Sequence, residues 1–330
     1  MIYDSVFGEP IPSERAHYGE LLLDPESIYL FTDRGDDRTS LPSEFVANNS
    51  DTTFRRLVRI GGDEVRLEEF DGRVMQTVFT RNRRQVEDLV GEFQRTYIDI
   101  TGMSMAAWAP MVAACYHRST DLTILYQEPE YYTKLTDPSP GWLFDLSLSF
   151  CEPRSLPGFF TAQANEVGED GQILVVLVGF EGQRLGNMVE HQLSSAGRLL
   201  PLVGAPGYRP DYIFFAFDAS REVFENNGVT ESSVIYARAN CPFETFYALQ
   251  LIRERQSSGR LQIAPLGTKP AALGAILFTL AMGTGVDLFY DYPVRKLGGT
   301  TGRGGLNLYE VSQFWSSEYF ELVRGSLSRD

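Results

Sequence analysis

Two short segments combine a glycine with a hydroxyl side chain just before an apolar run, a pattern typical of anion-binding turns at helix N-termini. They are residues 99–105 and 264–270. Their candidate ligand-binding residues are Thr101, Gly102, Ser104, Gly267, Thr268 and Lys269. Free N–H groups at a helix start, a hydroxyl and an ammonium group would together hold a phosphate. The alternative is that Ser104 and Thr268 are N-caps, which satisfy helix N–H groups without a ligand.

Further basic residues follow the second segment, and a glycine-rich stretch, residues 298–305, lies among them. Glycine allows the backbone to close over a ligand, and guanidinium groups match the geometry of phosphate oxygens. The residues predicted to complete an anion pocket with Lys269 are Arg295, Lys296 and Arg303. Arg184, which follows a neighbouring strand, is a further ligand-binding candidate at the same crevice. The alternatives are a surface turn with scattered charges and, for Arg184, a local ion pair with Glu181.

Four carboxylates lie near the ends of predicted strands, where the catalytic groups of open parallel sheets collect. They are Asp33, Asp36, Glu181 and Asp291. Hydrolysis of a nucleotide or nucleoside bond, with such carboxylates as acid and base, is therefore an alternative function, and solubility is the other explanation for them. A Ser-His-Asp hydrolase built on Ser104 is not predicted, because no histidine follows His191.

The sequence contains no motif typical of a zinc site and no cysteine pattern typical of disulfide bonds. Three histidines, with no HExxH or CxxC spacing, argue against zinc. The abundance of Asp and Glu leaves a carboxylate-held Mg²⁺ open. Cys115, Cys151 and Cys241 are odd in number and far apart, which predicts reduced, mostly buried thiols. The cofactor is not identified by the sequence; a nucleotide ligand is the candidate, beside the Mg²⁺ that stays open.

The composition is that of a globular protein, which we expect to be cytoplasmic. Of 330 residues, 43% are hydrophobic and 22% charged, enough for a large core. The net charge of −15 repels a phosphate backbone, so general nucleic-acid binding is not expected. No secretion signal is recognised at residues 1–5, and the longest uncharged run, residues 270–286, is shorter than the ~20 apolar residues that span a membrane.

An internal repeat organises the chain. A shift of 164 residues places residues 104–107 on 268–271, and residues 123–129 on 287–293, without a gap. Each copy predicts a strand, a small-residue turn, an apolar helix and a second strand, which together form a βαβ unit. Unbroken apolar runs upstream of each unit indicate strands that are covered on both faces.

The fold class predicted from this repeat is α/β, with two tandem Rossmann-like domains and mostly parallel sheets. The first domain spans residues 1–160 and contains a β-rich insert at residues 36–84, including a hairpin at residues 59–67. The second spans residues 161–330 and carries the glycine-rich loop 298–305. In open parallel sheets a ligand binds at the carboxyl edge, where oppositely directed crossovers leave a crevice.

The two loops resemble those of the CRISPR-associated Rossmann-fold (CARF) sensor domains, in which a strand, a [D/N]-x-[S/T]-G-G-[S/T]-K-like turn and an apolar helix follow one another. Residues 99–105 are similar to the first half of that pattern and residues 266–269 to the second. Met105 stands where the pattern has lysine. The resemblance implies binding of a cyclic oligoadenylate across a homodimer. The residues that would then contact phosphate or ribose are Thr101, Ser104, Thr268 and Lys269.

The function expected from the sequence is binding of a small anionic, nucleotide-type ligand at the paired loops. The resemblance implies a sensor or regulatory component of a prokaryotic nucleotide-signal system in antiviral defence, acting as a homodimer or in a protein complex. The hydrolase and a non-catalytic scaffold in a defence complex are the alternatives left open. No membrane partner is expected.

Overall fold

A computed structural model describes residues 13–139, 141–159, 172–256, 261–283 and 285–325. The described chain is a mixed α/β protein, as predicted. It divides into two compact units, of which the first is Met1–Tyr132 with Thr300–Glu318 and the second is Thr133–Gly299 with Tyr319–Asp330. The predicted boundary, residue 160, lies outside the described residues. The chain returns to the first unit at Thr300 because a late strand pairs there, which sequence patterning did not indicate.

The first unit is built around a sheet with buried central strands. Its strands are β1 (Ser13–Ala16), β2 (Ile28–Phe31), β3 (Thr53–Gly61), β4 (Glu64–Glu69), β5 (Val74–Phe79), β6 (Arg95–Asp99), β7 (Asp121–Tyr132) and, late in the chain, β18 (Thr300–Glu310). Its helices are α1 (Ser43–Asn48), α2 (Arg83–Gly91), α3 (Met105–Arg118) and α8 (Val311–Trp315). All four residues of β2 are buried, as expected of an apolar strand covered on both faces.

These strands form, within the described part of the chain, one sheet in the order β1-β18-β7-β6-β2-β3-β4-β5. The central strands β7, β6, β2 and β3 run parallel, and the outer pairings are antiparallel. From β2 the chain passes to β3 on one side, and later returns to β6 on the other side. The carboxyl ends of β2 and β6 therefore form a topological switch point, where crevices arise.

The predicted β-rich insert extends this sheet. β3 and β4 form the predicted hairpin, with Gly62 at a φ of +51° in its turn, a conformation that favours glycine. β5 adds antiparallel to β4 and is the last strand on that side.

The glycine-rich residues 298–305, predicted to be a loop of the second domain, lie largely in β18 of the first unit. The pairing of β18 with β7 shifts register between Arg303 and Leu306. A Cβ on Gly304 would lie 3.0 Å from the carbonyl oxygen of Pro129, so glycine permits this irregular pairing.

The second unit combines a larger sheet with two small ribbons. Its strands are β8 (Lys134–Ser139), β9 (Trp142–Phe144), β10 (Ser147–Ser149), β11 (Arg154–Ser155), β12 (Ile173–Val178), β13 (Arg198–Gly204), β14 (Ile235–Ala237), β15 (Leu261–Pro265), β16 (Val286–Tyr290) and β17 (Val294–Arg295). Its helices are α4 (Gly182–Gln192), α5 (Tyr212–Asn226), α6 (Pro242–Arg255), α7 (Lys269–Met282) and, from its second residue onward, α9 (Glu318–Gly325). The ribbons pair β8 with β9 and β10 with β17.

Over the residues that the structure covers, the larger sheet of the second unit has the order β11-β16-β15-β12-β13-β14. All its pairings are parallel except that of β11 with β16. Crossovers leave β12 in one direction and β15 in the other, so the switch point lies between these two strands. Right-handed crossovers place α4 and α5 on one face and α7 on the other.

The repeat is visible in the helices that follow the two loops. α3 begins at Met105 and α7 at Lys269, which is 269 − 105 = 164 residues later, and each helix has 14 residues. Both are apolar on nearly all sides and buried. The helices thus start in the register that the repeat predicts, whereas the description of the units as tandem Rossmann-like domains stays a prediction.

Candidate functional site

The first candidate site lies at the switch point of the first unit, between residues 32–42 after β2 and residues 100–104 after β6. We call these two loops the first-unit crevice. Gly102 brings them into contact, because a Cβ built on it would lie 2.0 Å from the carbonyl oxygen of Thr32 and 3.1 Å from Cγ2 of Thr39. Gly102 therefore serves backbone packing between the loops that follow β2 and β6. The two loops paired by the sequence repeat, residues 99–105 and 264–270, belong to different units.

Ser104 occupies the N-cap position of α3, but its side chain does not cap the helix. Its φ and ψ are −73° and 150°, and its hydroxyl makes no capping hydrogen bond. Oγ is buried and has no hydrogen-bond partner among the described residues. A buried hydroxyl without a partner is costly, so this atom would gain from a ligand oxygen. The neighbouring hydroxyl of Thr101 accepts from the Gln127 N–H at 2.9 Å and is structural.

Arg38 supplies positive charge in the first-unit crevice. Nη1 donates to the carbonyl oxygen of Gln127 at 3.1 Å, whereas Nε is buried without a partner in the described chain. Burial lowers the pKa of Arg38, but Tyr126, Tyr132 and Asp36 raise it more, so that it lies above its usual value. The guanidinium is therefore charged and keeps an unused donor. Arg38 is not among the residues predicted from the sequence, although it lies in the loop that contains Asp33 and Asp36.

The two carboxylates predicted in this loop hold its shape. Asp33 Oδ1 accepts from the Gly35 N–H at 2.7 Å and from the Ser40 hydroxyl at 3.2 Å. Asp36 Oδ1 accepts from the N–H groups of Arg38 and Thr39 at 3.1 and 3.0 Å. These are local side-chain to backbone turns, which explain both residues without catalysis.

Arg303, on β18, donates hydrogen bonds to the backbone of the same loop. Nη2 donates to the carbonyl oxygen of Ser40 at 2.6 Å, and Nε donates to that of Asp37. The guanidinium also lies 5.9 Å from the ring centre of Tyr18. Arg303 thus belongs to the first-unit crevice as a support of its outer loop.

A buried carboxylate, Asp99, ends β6 beside this crevice. Oδ2 accepts from the hydroxyls of Tyr18 and Tyr29 at 3.0 and 3.1 Å, and Oδ1 accepts from the Thr101 N–H at 2.9 Å. Burial, and then the charge of Asp99, raises the pKa of both tyrosines well above 10. The two hydroxyls therefore stay protonated and donate. This cluster fixes the start of the loop 100–104, and no local sequence pattern predicted it.

The switch point of the second unit has a similar backbone arrangement. A Cβ on Gly179 would lie 2.4 Å from the carbonyl oxygen of Leu266, and one on Gly267 would lie 2.9 Å from that of Val178. The glycines again allow two loops to approach. Thr268, however, accepts from the Ala271 N–H at 3.3 Å and donates to the Ala239 carbonyl oxygen at 2.5 Å.

Thr268 is therefore the helix cap that the alternative interpretation describes, and its hydroxyl is satisfied within the protein. Lys269 is the first residue of α7 and is half-buried. The second loop thus differs from the first, where the hydroxyl of Ser104 is unused.

Arg184 and Asp291 form a buried ion pair in the second unit. Nε and Nη2 of Arg184 donate to Oδ2 and Oδ1 of Asp291 at 2.7 and 2.6 Å. The exposed fractions of these side chains are 1% and 0%. Burial works against the charge of Arg184, but the hydrogen bonds and charge of Asp291 raise its pKa above the usual value. Both groups are therefore committed to each other and not to an anion.

The remaining charged candidates of the second unit are paired as well. Glu181 Oε2 accepts from Arg184 Nη1 at 3.2 Å and from Arg295 Nη1 at 3.0 Å. Lys296 donates to Asp145 at 2.7 Å. The predicted pocket of Lys269, Arg295, Lys296 and Arg303 is thus not assembled within one unit, because Arg303 belongs to the first and carboxylates balance Arg295 and Lys296 in the second.

No family model and no curated protein matches this chain. Among solved structures, a crystal structure of a periplasmic ribose ABC transporter from Conexibacter woesei DSM 14684 aligns with 78% of this chain and 69% of its own. The sequence identity is 15% and the TM-score 0.27. The candidate site is therefore interpreted from its own geometry.

The described ranges contain neither a metal-binding cluster nor a membrane-spanning helix. These residues contain no group of three or more His, Cys, Asp or Glu side chains placed to hold a metal ion. Nor does any helix in them have the length and apolar character needed to cross a bilayer.

The three cysteines are free thiols of unequal accessibility. Cys115 and Cys241 are buried and Cys151 is half-buried, which fits the predicted reduced state. Burial raises the pKa of Cys115 to about 12 and that of Cys241 to about 11. At neutral pH we expect a thiol reagent such as DTNB to modify Cys151 readily, and the other two only after denaturation. Equal reaction rates of all three thiols in the folded protein would contradict this burial pattern.

Proposed function

We propose that the chain binds a small anionic, nucleotide-type ligand at its strand-to-helix loops, with the first-unit crevice as the principal site. The observation that carries the proposal is the buried hydroxyl of Ser104, which has no partner at the start of α3. A helix N-terminus favours negative charge, and a phosphate oxygen is the acceptor that an unused hydroxyl and free N–H groups match.

Arg38 supports the same ligand chemistry. Its Nε is a second buried donor without a partner, and it lies on the other loop of the first-unit crevice. Arg303 and Asp36 hold that loop in shape through its backbone. A preorganised loop with an unused, charged donor suits an anion better than a neutral or cationic ligand.

The hydrolase alternative receives less support. Its four candidate carboxylates are occupied: Asp33 and Asp36 by loop N–H groups, and Glu181 and Asp291 by arginines. The hydrogen bonds of Asp33 and Asp36 shape their own loop, and Glu181 and Asp291 neutralise arginines, so each carboxylate has a structural explanation that requires no reaction. We therefore infer binding without turnover. A sensor or regulatory role in a prokaryotic nucleotide-signal system, which the CARF resemblance implies, is part of the proposal.

Thermal-shift screening of the full chain with mononucleotides and cyclic oligonucleotides tests the proposal. We expect at least one of them to raise the melting temperature without being converted to product. In the variants Ser104→Ala and Arg38→Gln the shift should disappear or require at least about 10-fold more ligand, a loss of about 1.4 kcal/mol in binding free energy. Arg83→Gln, which removes an exposed charge from the same unit, is the matched control and should respond like the wild type.

The variant Lys269→Gln distinguishes ligand binding at the loop of the second unit from binding at the first-unit crevice. A shift that is lost in Lys269→Gln but kept in Arg38→Gln and Ser104→Ala would place the ligand in the second unit and contradict the assignment to the first-unit crevice. Product formation would instead support the hydrolase. If none of the mononucleotides or cyclic oligonucleotides changes the melting temperature of the wild type, the result would favour the non-catalytic scaffold.

A further inference from the structure

A cavity of about 240 Å³ lies between α2 and the outer strands of the sheet in the first unit. Its lining combines apolar side chains with a few charged ones, as in sites that hold small ligands. Arg55 lines it from β3, and Asp88 and Glu92 line it from α2 and its C-cap. Ile28, the first residue of β2, also belongs to the lining, whereas the first-unit crevice follows the end of β2. The cavity is therefore separate from that crevice.

The opposite charges that line this cavity do not pair with each other. Arg55 donates from Nη1 to the carbonyl oxygen of Phe54 at 3.1 Å, and its Nε and Nη2 have no partner among the described residues. The carboxylates of Asp88 and Glu92 have none in the described chain either. Because α2 packs against β5 and α3, its position relative to β3 is fixed. One guanidinium edge on the sheet and two carboxylates on the helix thus share the cavity without meeting.

The two carboxylates are placed unfavourably for α2 itself. Asp88 and Glu92 are four residues apart, a spacing at which like charges on a helix repel each other. Both lie at the C-terminal end of α2, where positive charge is favoured, and the last turn of α2 contains no basic residue. A cationic group between the two carboxylates would relieve both effects. Local arrangements that oppose the stability of their own element are typical of functional sites.

We propose that this cavity binds a small zwitterion, an amino acid whose carboxylate pairs with Arg55 and whose ammonium group pairs with Asp88 and Glu92. The Nε and Nη2 edge of a guanidinium is a fork that matches the two oxygens of a carboxylate. An ammonium group has three N–H donors, enough for both acidic side chains.

Charge and size favour such a ligand over simpler ions and larger molecules. A simple anion would meet the two carboxylates, and a simple cation would meet the guanidinium, so each would face a like charge. The cavity is smaller than the roughly 300–1,000 Å³ of pockets that hold drug-sized ligands. At about 30 Å³ for each water molecule, its volume corresponds to about eight waters. A short amino acid suits this space.

Isothermal titration calorimetry of the full chain at constant ionic strength tests the ligand class. The probes are glycine, γ-aminobutyrate and ε-aminocaproate, which separate the two charges by increasing distances. We expect saturable binding of at least one of them. Butyrate and butylamine each carry one of the two charges, and we expect them to bind at least about 10-fold more weakly. No binding of any zwitterion, or equally tight binding of butyrate or butylamine, would overturn the proposal.

Three variants test the location of this site. Arg55→Gln and Glu92→Gln should each weaken binding of the best zwitterion at least about 10-fold. Arg84→Gln, which removes an exposed charge of α2 outside the cavity lining, is the matched control and should bind like the wild type. Glu92→Gln also removes one of two repelling charges, so its melting temperature should not fall, and its loss of binding is then not a loss of fold. Undiminished binding in Arg55→Gln or Glu92→Gln would contradict the assignment.

Discussion

Replacing Asp291 by alanine is expected to lower the free energy of unfolding by about 3–5 kcal/mol, the range for breaking a buried ion pair from one side. Arg184 and Asp291 share two hydrogen bonds and are almost completely buried. Without Asp291, Glu181 at 3.2 Å is the one charged partner that the described residues leave to the guanidinium. Urea denaturation of the full chain, followed by circular dichroism, measures the change.

Two further variants test whether the loss of stability comes from an unpaired buried charge. Arg184→Leu combined with Asp291→Ala removes both charges, and we expect it to be more stable than Asp291→Ala alone, because no unpaired charge remains buried. Arg221→Ala breaks an ion pair with Asp218 in which the arginine is 68% exposed, and it should cost less than about 1 kcal/mol. Equal losses in Asp291→Ala and Arg221→Ala would contradict the burial of the Arg184 pair.

Gly102→Ala is expected to destabilise the protein by about 1–3 kcal/mol and to abolish the response to ligand. The new Cβ would lie 2.0 Å from the carbonyl oxygen of Thr32, so one of the two loops has to move. Such a movement displaces Ser104 relative to Arg38 and disrupts the proposed site. The melting temperature, with and without the nucleotide found by screening, reports both effects.

Gly19→Ala is the matched control for this substitution. A Cβ at Gly19 meets nothing within 4 Å, and the expected change in stability is within about 0.5 kcal/mol. A Gly102→Ala variant as stable and as responsive as Gly19→Ala would show that the loops of the first-unit crevice do not depend on close contact.

Local sequence patterns predicted the elements that position the site. The apolar runs after Ser104 and Thr268 indicate helices, and the structure starts α3 and α7 directly after these residues. The strand before each turn and the hairpin of β3 and β4 were also predicted, because periodicity and turn glycines are local signals. Gly102 and Gly267 lie in these two loops, where each allows a close backbone contact, and their part in ligand binding stays a prediction.

Contacts between distant residues account for what the sequence did not predict. Asp99 is 81 and 70 residues from the two tyrosines that donate to it, and Arg184 is 107 residues from Asp291. Nothing in a local pattern distinguishes such a carboxylate or arginine from a solvated one, so an arginine predicted to bind a ligand is instead neutralised within the fold. The return of β18 to the first unit is a long-range pairing of the same kind.

Isothermal titration calorimetry of the full chain with a cyclic oligoadenylate, and with the mononucleotides in parallel, measures whether the first-unit crevice binds an anionic nucleotide. We predict saturable binding of at least one of these probes to the wild type, with an affinity at least about 10-fold lower in Arg38→Gln and Ser104→Ala and unchanged in Arg83→Gln. Binding that is equally strong in all four proteins, or no binding of any probe to the wild type, would contradict an anion site in the first-unit crevice.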